Sequence, residues 1–168
     1  MILLKCNMNH VIILRGPLGV GKSTIAKKLA SVLKAKHIDV DKLLEKYQLD
    51  KPQKGEPCIP LKNFIVVQKK ILPILEKRLK KTIIIDGCFY HKKQIEHLKK
   101  NISKINVFTL KAPLKTCIAR DSRRRKSYGK DAAKAVHTLV SAFDYGFVIE
   151  TDKRTVQQTV KEILKELS

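Results

Sequence analysis

The segment Gly16-Pro17-Leu18-Gly19-Val20-Gly21-Lys22-Ser23-Thr24 carries more structural information than any other in the chain. It satisfies the spacing G-x-x-x-x-G-K-[ST]. Before it stands an apolar run, Val11-Ile12-Ile13-Leu14-Arg15, and after it Ile25, Leu29 and Leu33 recur every four residues. The run predicts a buried strand over 11–15, and the recurrence predicts an amphipathic helix over 22–34. A strand that turns through glycines into a helix aims successive backbone N–H groups inward, and the helix N-terminus adds partial positive charge where they converge. Phosphate suits such a nest. Every residue from Gly16 to Thr24 is therefore a candidate nucleotide contact, with Lys22 placed to reach the β- and γ-phosphates and the Ser23 hydroxyl placed to hold Mg²⁺.

Outward from this loop, short apolar runs alternate with segments of helical period. Strands are expected over 36–40, 82–86, 105–110 and 147–150, and helices over 61–80, 91–100, 113–126, 131–143 and 154–167. That alternation predicts an α/β fold with a five-stranded parallel sheet and helices on both faces. Pro73 should kink or divide the helix that contains it. Residues 49–60, with Pro52, Gly55, Pro57 and Pro60, read as a loop over the sheet.

Acids mark two strand ends. Ile38-Asp39-Val40-Asp41-Lys42 places two carboxylates at the C-terminal edge of the second strand, where open parallel sheets bind ligands. Spaced by two on an extended chain, Asp39 and Asp41 would point the same way and repel each other unless a cation such as Mg²⁺ stood near. Phosphoryl transfer also needs a carboxylate to orient the acceptor hydroxyl and take its proton, although Asp41 could instead cap a helix beginning at Lys42. Thr82-Ile83-Ile84-Ile85-Asp86-Gly87 is an apolar strand ending in an acid, and the Asp86 carboxylate suits Mg²⁺ or its water shell. Phe89, Tyr90, His91 and Gln94 either shape an acceptor pocket or join the core. The most basic part runs from Cys117 to Lys130. On a helix, Arg120 and Arg124 share a face with Arg123 beside it, giving a fork of guanidiniums suited to phosphate, or simply a solvated helix end.

Phosphate loop, D-x-D after the second strand, basic lid and short final β-α unit occur in the order found in the small P-loop metabolite kinases. Over nearly its whole length the chain resembles this group, which includes shikimate kinase and adenylylsulfate kinase. The resemblance implies a three-layer P-loop NTPase fold, one kinase domain over 1–168, a lid at about 118–132, and ATP with Mg²⁺ as cofactors. It implies that Asp39 holds Mg²⁺ through water, that Asp41 contacts the acceptor hydroxyl, and that Arg120 and then Arg124 serve as catalytic arginines. Leu44 stands where adenylylsulfate kinase carries an arginine, and Cys88-Phe89-Tyr90 stands where adenylate kinase carries Phe-Pro-Arg.

Charge narrows the partners. The 168 residues carry 36 basic and 15 acidic side chains, a net charge of +21, and residues 62–134 alone hold 21 basic and 5 acidic ones. Such a field concentrates nucleotides, anionic metabolites and nucleic acid alike. Three functions follow: an ATP-dependent kinase acting on a hydroxyl of a small anionic acceptor, a polynucleotide 5′-hydroxyl kinase acting on RNA or DNA, or a non-catalytic ATP-dependent nucleic-acid-binding switch. The cysteines Cys6, Cys58, Cys88 and Cys117 show no C-x-x-C spacing, which speaks against a zinc ribbon and for reduced thiols in the cytoplasm. The five histidines have no metal-ligand spacing. No apolar run approaches the ~18 residues of a membrane span.

Overall fold

The computed structural model describes residues 10–56, 58–77 and 81–168. Strand β1 (Val11–Arg15) is buried along its whole length because strands flank it on both sides and helices cover both its faces. It pairs in parallel with β3 (Ile83–Gly87) and β4 (Ile105–Lys111), Val11 lying opposite both Ile83 and Ile105. Outside these lie β2 (Lys36–Asp39) and β5 (Phe147–Glu150), giving the order β2-β3-β1-β4-β5.

Period-two alternation sorts the strand side chains into two cores. Ile12, Leu14, Ile84, Phe108 and Leu110 pack with α1 (Lys22–Leu33) and α7 (Val156–Glu166). Val11, Ile13, Ile83, Ile85 and Val107 pack on the other side, with α2 (Val40–Lys46), α3 (Leu61–Lys77), α4 (Lys92–Asn101) and α6 (Lys130–Ser141). The five expected strands and the parallel sheet are present. Among the described residues no helix is long and apolar enough to cross a membrane.

Three expectations change, each for a local reason. The second strand stops at Asp39, whose Oδ1 accepts the Lys42 N–H at 3.0 Å and so caps α2. The cap is thus Asp39 rather than Asp41, and Asp41 sits in the first helical turn, so the two carboxylates do not share one face of an extended strand. Helix α3 runs through Pro73 undivided. The ring deprives only the Lys69 carbonyl of its donor, and Lys69 is exposed, so water can serve it. Residues 78–80, the expected end of that helix, lie outside the described residues. Finally, α5 (Leu114–Ser122) stops short of the expected residue 126. Buried Asp121 accepts hydrogen bonds from Ser127 Oγ at 2.8 Å and Tyr128 N at 3.1 Å, which folds residues 123–129 back as a turn.

Candidate active site

The loop between β1 and α1 is closed by backbone that needs glycine. Gly19 has φ +77°, and a Cβ there would lie 2.0 Å from the Cys117 carbonyl oxygen of α5. Gly21, at φ +103°, caps α1 and opens its first N–H groups toward the loop. Lys22 lies buried over the loop, its Nζ donating to the Pro17 carbonyl at 2.9 Å. Burial disfavours its ammonium, but Cys88, Asp41 and Asp86 outweigh that and raise its pKa. The charge that would meet phosphate is held in place.

One step along the sheet edge, Ser23 Oγ donates to Asp86 Oδ2 at 2.7 Å, and His37 Nε2 meets the other oxygen of the same carboxylate. Asp39 is the register partner of Asp86 across β2 and β3. Ser23, Asp86 and Asp39 thus bring hard oxygen donors to one edge. This donor set fits Mg²⁺, which takes one or two protein carboxylates and completes its shell with water and phosphate. Among the described residues no group of three or more His, Cys, Asp or Glu forms a metal cage.

Asp41 is half-buried, and its Oδ2 accepts a weak bond from Cys88 Sγ at 3.7 Å. Burial raises the Asp41 pKa above the usual carboxylate value, with Lys22 opposing and Asp39 and Asp86 adding to the rise. Burial and Asp41 push the Cys88 thiol up to about 12, so it stays protonated and donates to Asp41 at neutral pH.

Two cavities flank this centre. One, of about 430 Å³, is lined by Gly19, Val20, Gly21 and Thr24 of the loop, by Arg120 and Arg124, and by Thr151, Arg154 and Thr155 after β5. Arg120 donates to the Val20 carbonyl at 3.3 Å, and to Thr151 Oγ1 at 3.3 Å and its carbonyl at 3.1 Å. Arg124 is not on the helix. It follows the end of α5, and the turn of the chain brings it into the same cavity, with NH1 3.7 Å from Asp121 Oδ1. The expected helical fork is therefore replaced by one helical and one turn arginine.

The other cavity, of about 210 Å³, opens on the Asp41 side. Its walls are Leu44 and Glu45 of α2, Phe64 of α3, Tyr90 beyond β3, Tyr128 of the turn before α6, and Ala132 and Val136 of α6, with Asp50, Cys58 and Ile59 from the loop. Tyr90 OH accepts the Ile59 N–H at 3.0 Å, and His91 Nε2 meets the Ile59 carbonyl at 3.0 Å, so these two hold that loop. Phe89 and Gln94 are core residues instead. Among the described residues lining this cavity there is no lysine or arginine. An anionic acceptor, expected from total charge, finds no cation in these walls.

With this geometry in view, comparison with known proteins gives a definite placement. The family model described as AAA domain matches residues 11–144, from β1 to beyond α6. The chain belongs to the AAA domain family. Its fold is that of the small P-loop kinases. A sugar kinase from Janibacter superposes with a TM-score of 0.76 at 16% identity, covering 93% of this chain and 92% of that one. A gluconokinase from Sinorhizobium meliloti gives 0.71 at 14% identity, covering 95% and 91%. Shikimate kinase from Acinetobacter baumannii, in complex with shikimate, gives 0.65 at 20% identity, covering 96% and 94%. No curated protein matches the chain.

Several residues around the site of this AAA domain protein carry no sequence pattern. His37 was discoverable, since it shares a strand face with Asp39 one pleat away. Cys88, Asp121 and Tyr128 were not, because each acts through a partner distant in sequence or in a turn. Arg15 is the most unexpected. It ends an apolar strand and is fully buried, with NH1 donating to Thr109 Oγ1 at 3.1 Å and the Phe143 carbonyl at 2.9 Å, and NH2 to the Val140 carbonyl at 2.9 Å. Its guanidinium carbon stands 4.2 Å from the Phe143 ring centroid. Burial lowers its pKa to about 10, which leaves it cationic at neutral pH and able to bind the carbonyls that end α6.

Proposed function

We propose that this chain is an ATP-dependent phosphotransferase that moves the γ-phosphoryl group to a hydroxyl of a small acceptor. The observation that carries this reading is the position of Asp41, which lines the 210 Å³ cavity while its charge acts on the phosphate-loop lysine. A protein that only bound nucleotide would have no use for a carboxylate of raised proton affinity between those two places. The kinase identities of the structural neighbours support the same reading.

In this scheme the triphosphate rests on the amides of residues 16–24, and Lys22 exchanges the Pro17 carbonyl for a phosphate oxygen. Ser23 and Asp86 would hold Mg²⁺, with Asp39 acting through water, and the ion would supply positive charge to offset the phosphates. Asp41 accepts the acceptor's proton as the hydroxyl oxygen forms its bond to the γ-phosphorus and the bond to the β-phosphate oxygen breaks, releasing ADP. Arg120 and Arg124 offset the charge that develops, and the turn over 123–129 excludes water that would otherwise compete.

The test pairs calorimetry with transfer. Wild-type protein should bind Mg·ATP and add one phosphoryl mass to members of an alcohol library. Asp41→Asn should keep nucleotide affinity within about twofold and lose roughly 10²- to 10⁴-fold in transfer rate. An Asn variant with wild-type rates removes Asp41 as the base, and absence of Mg·ATP binding removes the whole reading.

A further inference from the structure

The cavity beside Asp41 has a charge pattern that points to the class of acceptor, on the reading that this cavity is the acceptor site. Its three carboxylates differ in how they are matched. Asp41 faces Lys22. Glu45 is paired with Lys126 at 3.2 Å and accepts the Tyr128 hydroxyl at 3.2 Å. Asp50 makes no hydrogen bond or ion pair with any described residue, and its exposed neighbour Lys51 is not among those lining the cavity.

The remaining walls are apolar or aromatic. Leu44 and Phe64 are buried at 1% and 2% exposure, Tyr90 meets Phe64 edge to face at 5.3 Å between centroids, and Val136 closes the α6 side. The cavity is partly open to solvent, and its apolar walls keep some of the water away, so a charge held among them is better matched by protein groups. A carboxylate or phosphate on the acceptor would meet three acids and no cation among the described lining residues, whereas an ammonium would meet the one carboxylate left unmatched. At about 210 Å³ the space falls below the roughly 300–1,000 Å³ of drug-sized ligand sites, which limits the body of the acceptor to about one ring.

We infer that the acceptor is a small amino alcohol with an apolar or aromatic body, its ammonium on Asp50 and its hydroxyl at Asp41. Specificity then has an attractive part, the Asp50 ion pair, and a repulsive part, the surplus of acids that turns away anionic alcohols.

Three compounds share a phenyl ring and a benzylic hydroxyl and differ in the remaining group: phenylethanolamine carries an ammonium, styrene glycol a hydroxyl and mandelate a carboxylate. Each is titrated calorimetrically into the full chain with Mg²⁺ and a non-hydrolysable ATP analogue. Phenylethanolamine should bind about 10- to 100-fold more tightly than the glycol, the range of one charged hydrogen bond, and mandelate more weakly than either. Asp50→Asn should bring the ammonium and glycol affinities to within about twofold, and Asp50→Lys should reverse the order in favour of mandelate. Circular dichroism checks that these loop variants fold. Equal or tighter binding of mandelate by the wild type overturns the inference, as does an ammonium preference that survives in Asp50→Asn, or failure of all three compounds to bind. Phosphoryl transfer from labelled ATP is followed in parallel. If the ammonium order holds and no compound is labelled although Mg·ATP binds, the kinase reading fails while the selectivity of the cavity stands.

Discussion

Asp41 couples activity and stability in opposite directions. With Asp41 as the proposed base, transfer would need its carboxylate, so the rate should fall as pH drops through a midpoint above the ordinary carboxyl value, visible as the acid limb of a pH–rate profile. Folding has the reverse dependence. The folded chain holds the Asp41 proton more tightly than the unfolded chain, so this group's contribution to stability is complete below the unfolded pKa and is lost as pH rises through the folded one. Asp41→Asn should therefore raise the thermal unfolding midpoint at pH 8 while slowing transfer by roughly 10²- to 10⁴-fold, a pairing that calorimetry and a rate assay on the same sample would check. At Gly19 function and stability fail together. Gly19→Ala combines the 2.0 Å clash with the Cys117 carbonyl and a left-handed φ of +77°, a conformation costing about 1–3 kcal/mol even without the clash. It should lower the unfolding midpoint and remove Mg·ATP binding by calorimetry.

Between α5 and α6, the turn that carries Arg123, Arg124 and Tyr128 is tied down by one carboxylate. Asp121→Ala removes the acceptor for Ser127 Oγ and Tyr128 N, a loss of about 1–3 kcal/mol. Trypsin should then cut at Arg123–Arg125 several-fold faster than in the wild type, and nucleotide affinity should weaken roughly tenfold as Arg124 leaves its cavity. This turn also shows where sequence reading stops. The phosphate loop, the strands and α1 are legible because their signals are local: glycine spacing, β-branched runs and a four-residue apolar recurrence. The end of α5 is not. Arg123-Arg124-Arg125-Lys126 has ample helix propensity, and the break comes from bonds that Asp121 makes six and seven residues ahead. The start of helix α2 was hidden likewise, since Ile38-Asp39-Val40-Asp41 continues the strand's alternation and only the bond from Lys42 N shows which aspartate is the cap. The cavity beside Asp41 draws its walls from α2, α3, α6, a loop, the turn before α6 and the end of β3, and no periodicity in one chain encodes that convergence.

For the molecule as a whole, the +21 charge stands mostly outside the two cavities. Lysines 62, 69, 70, 77, 92, 93, 99 and 100 are exposed on α3 and α4. If the acceptor is small, kcat/KM should fall only shallowly with salt. A polynucleotide acceptor neutralised at Z phosphates would give a log–log slope of about −0.7Z to −0.9Z, and a rate series across sodium chloride concentrations separates the two. The central strand bears on α6 in another way. Arg15→Met would strand the Val140 and Phe143 carbonyls, with an expected loss of about 2–4 kcal/mol in denaturant unfolding. While Arg15 grips those carbonyls, any swing of α6 would pivot at its C-terminal end. Its 12 residues give an arm of about 18 Å, so a swing of about 10° carries the Lys130 tip by about 3 Å and barely shifts Val140. Any opening of the cavity beside Asp41 by such a swing would therefore come at its Tyr128 end, the wall at Val136 widening less than the wall at Ala132.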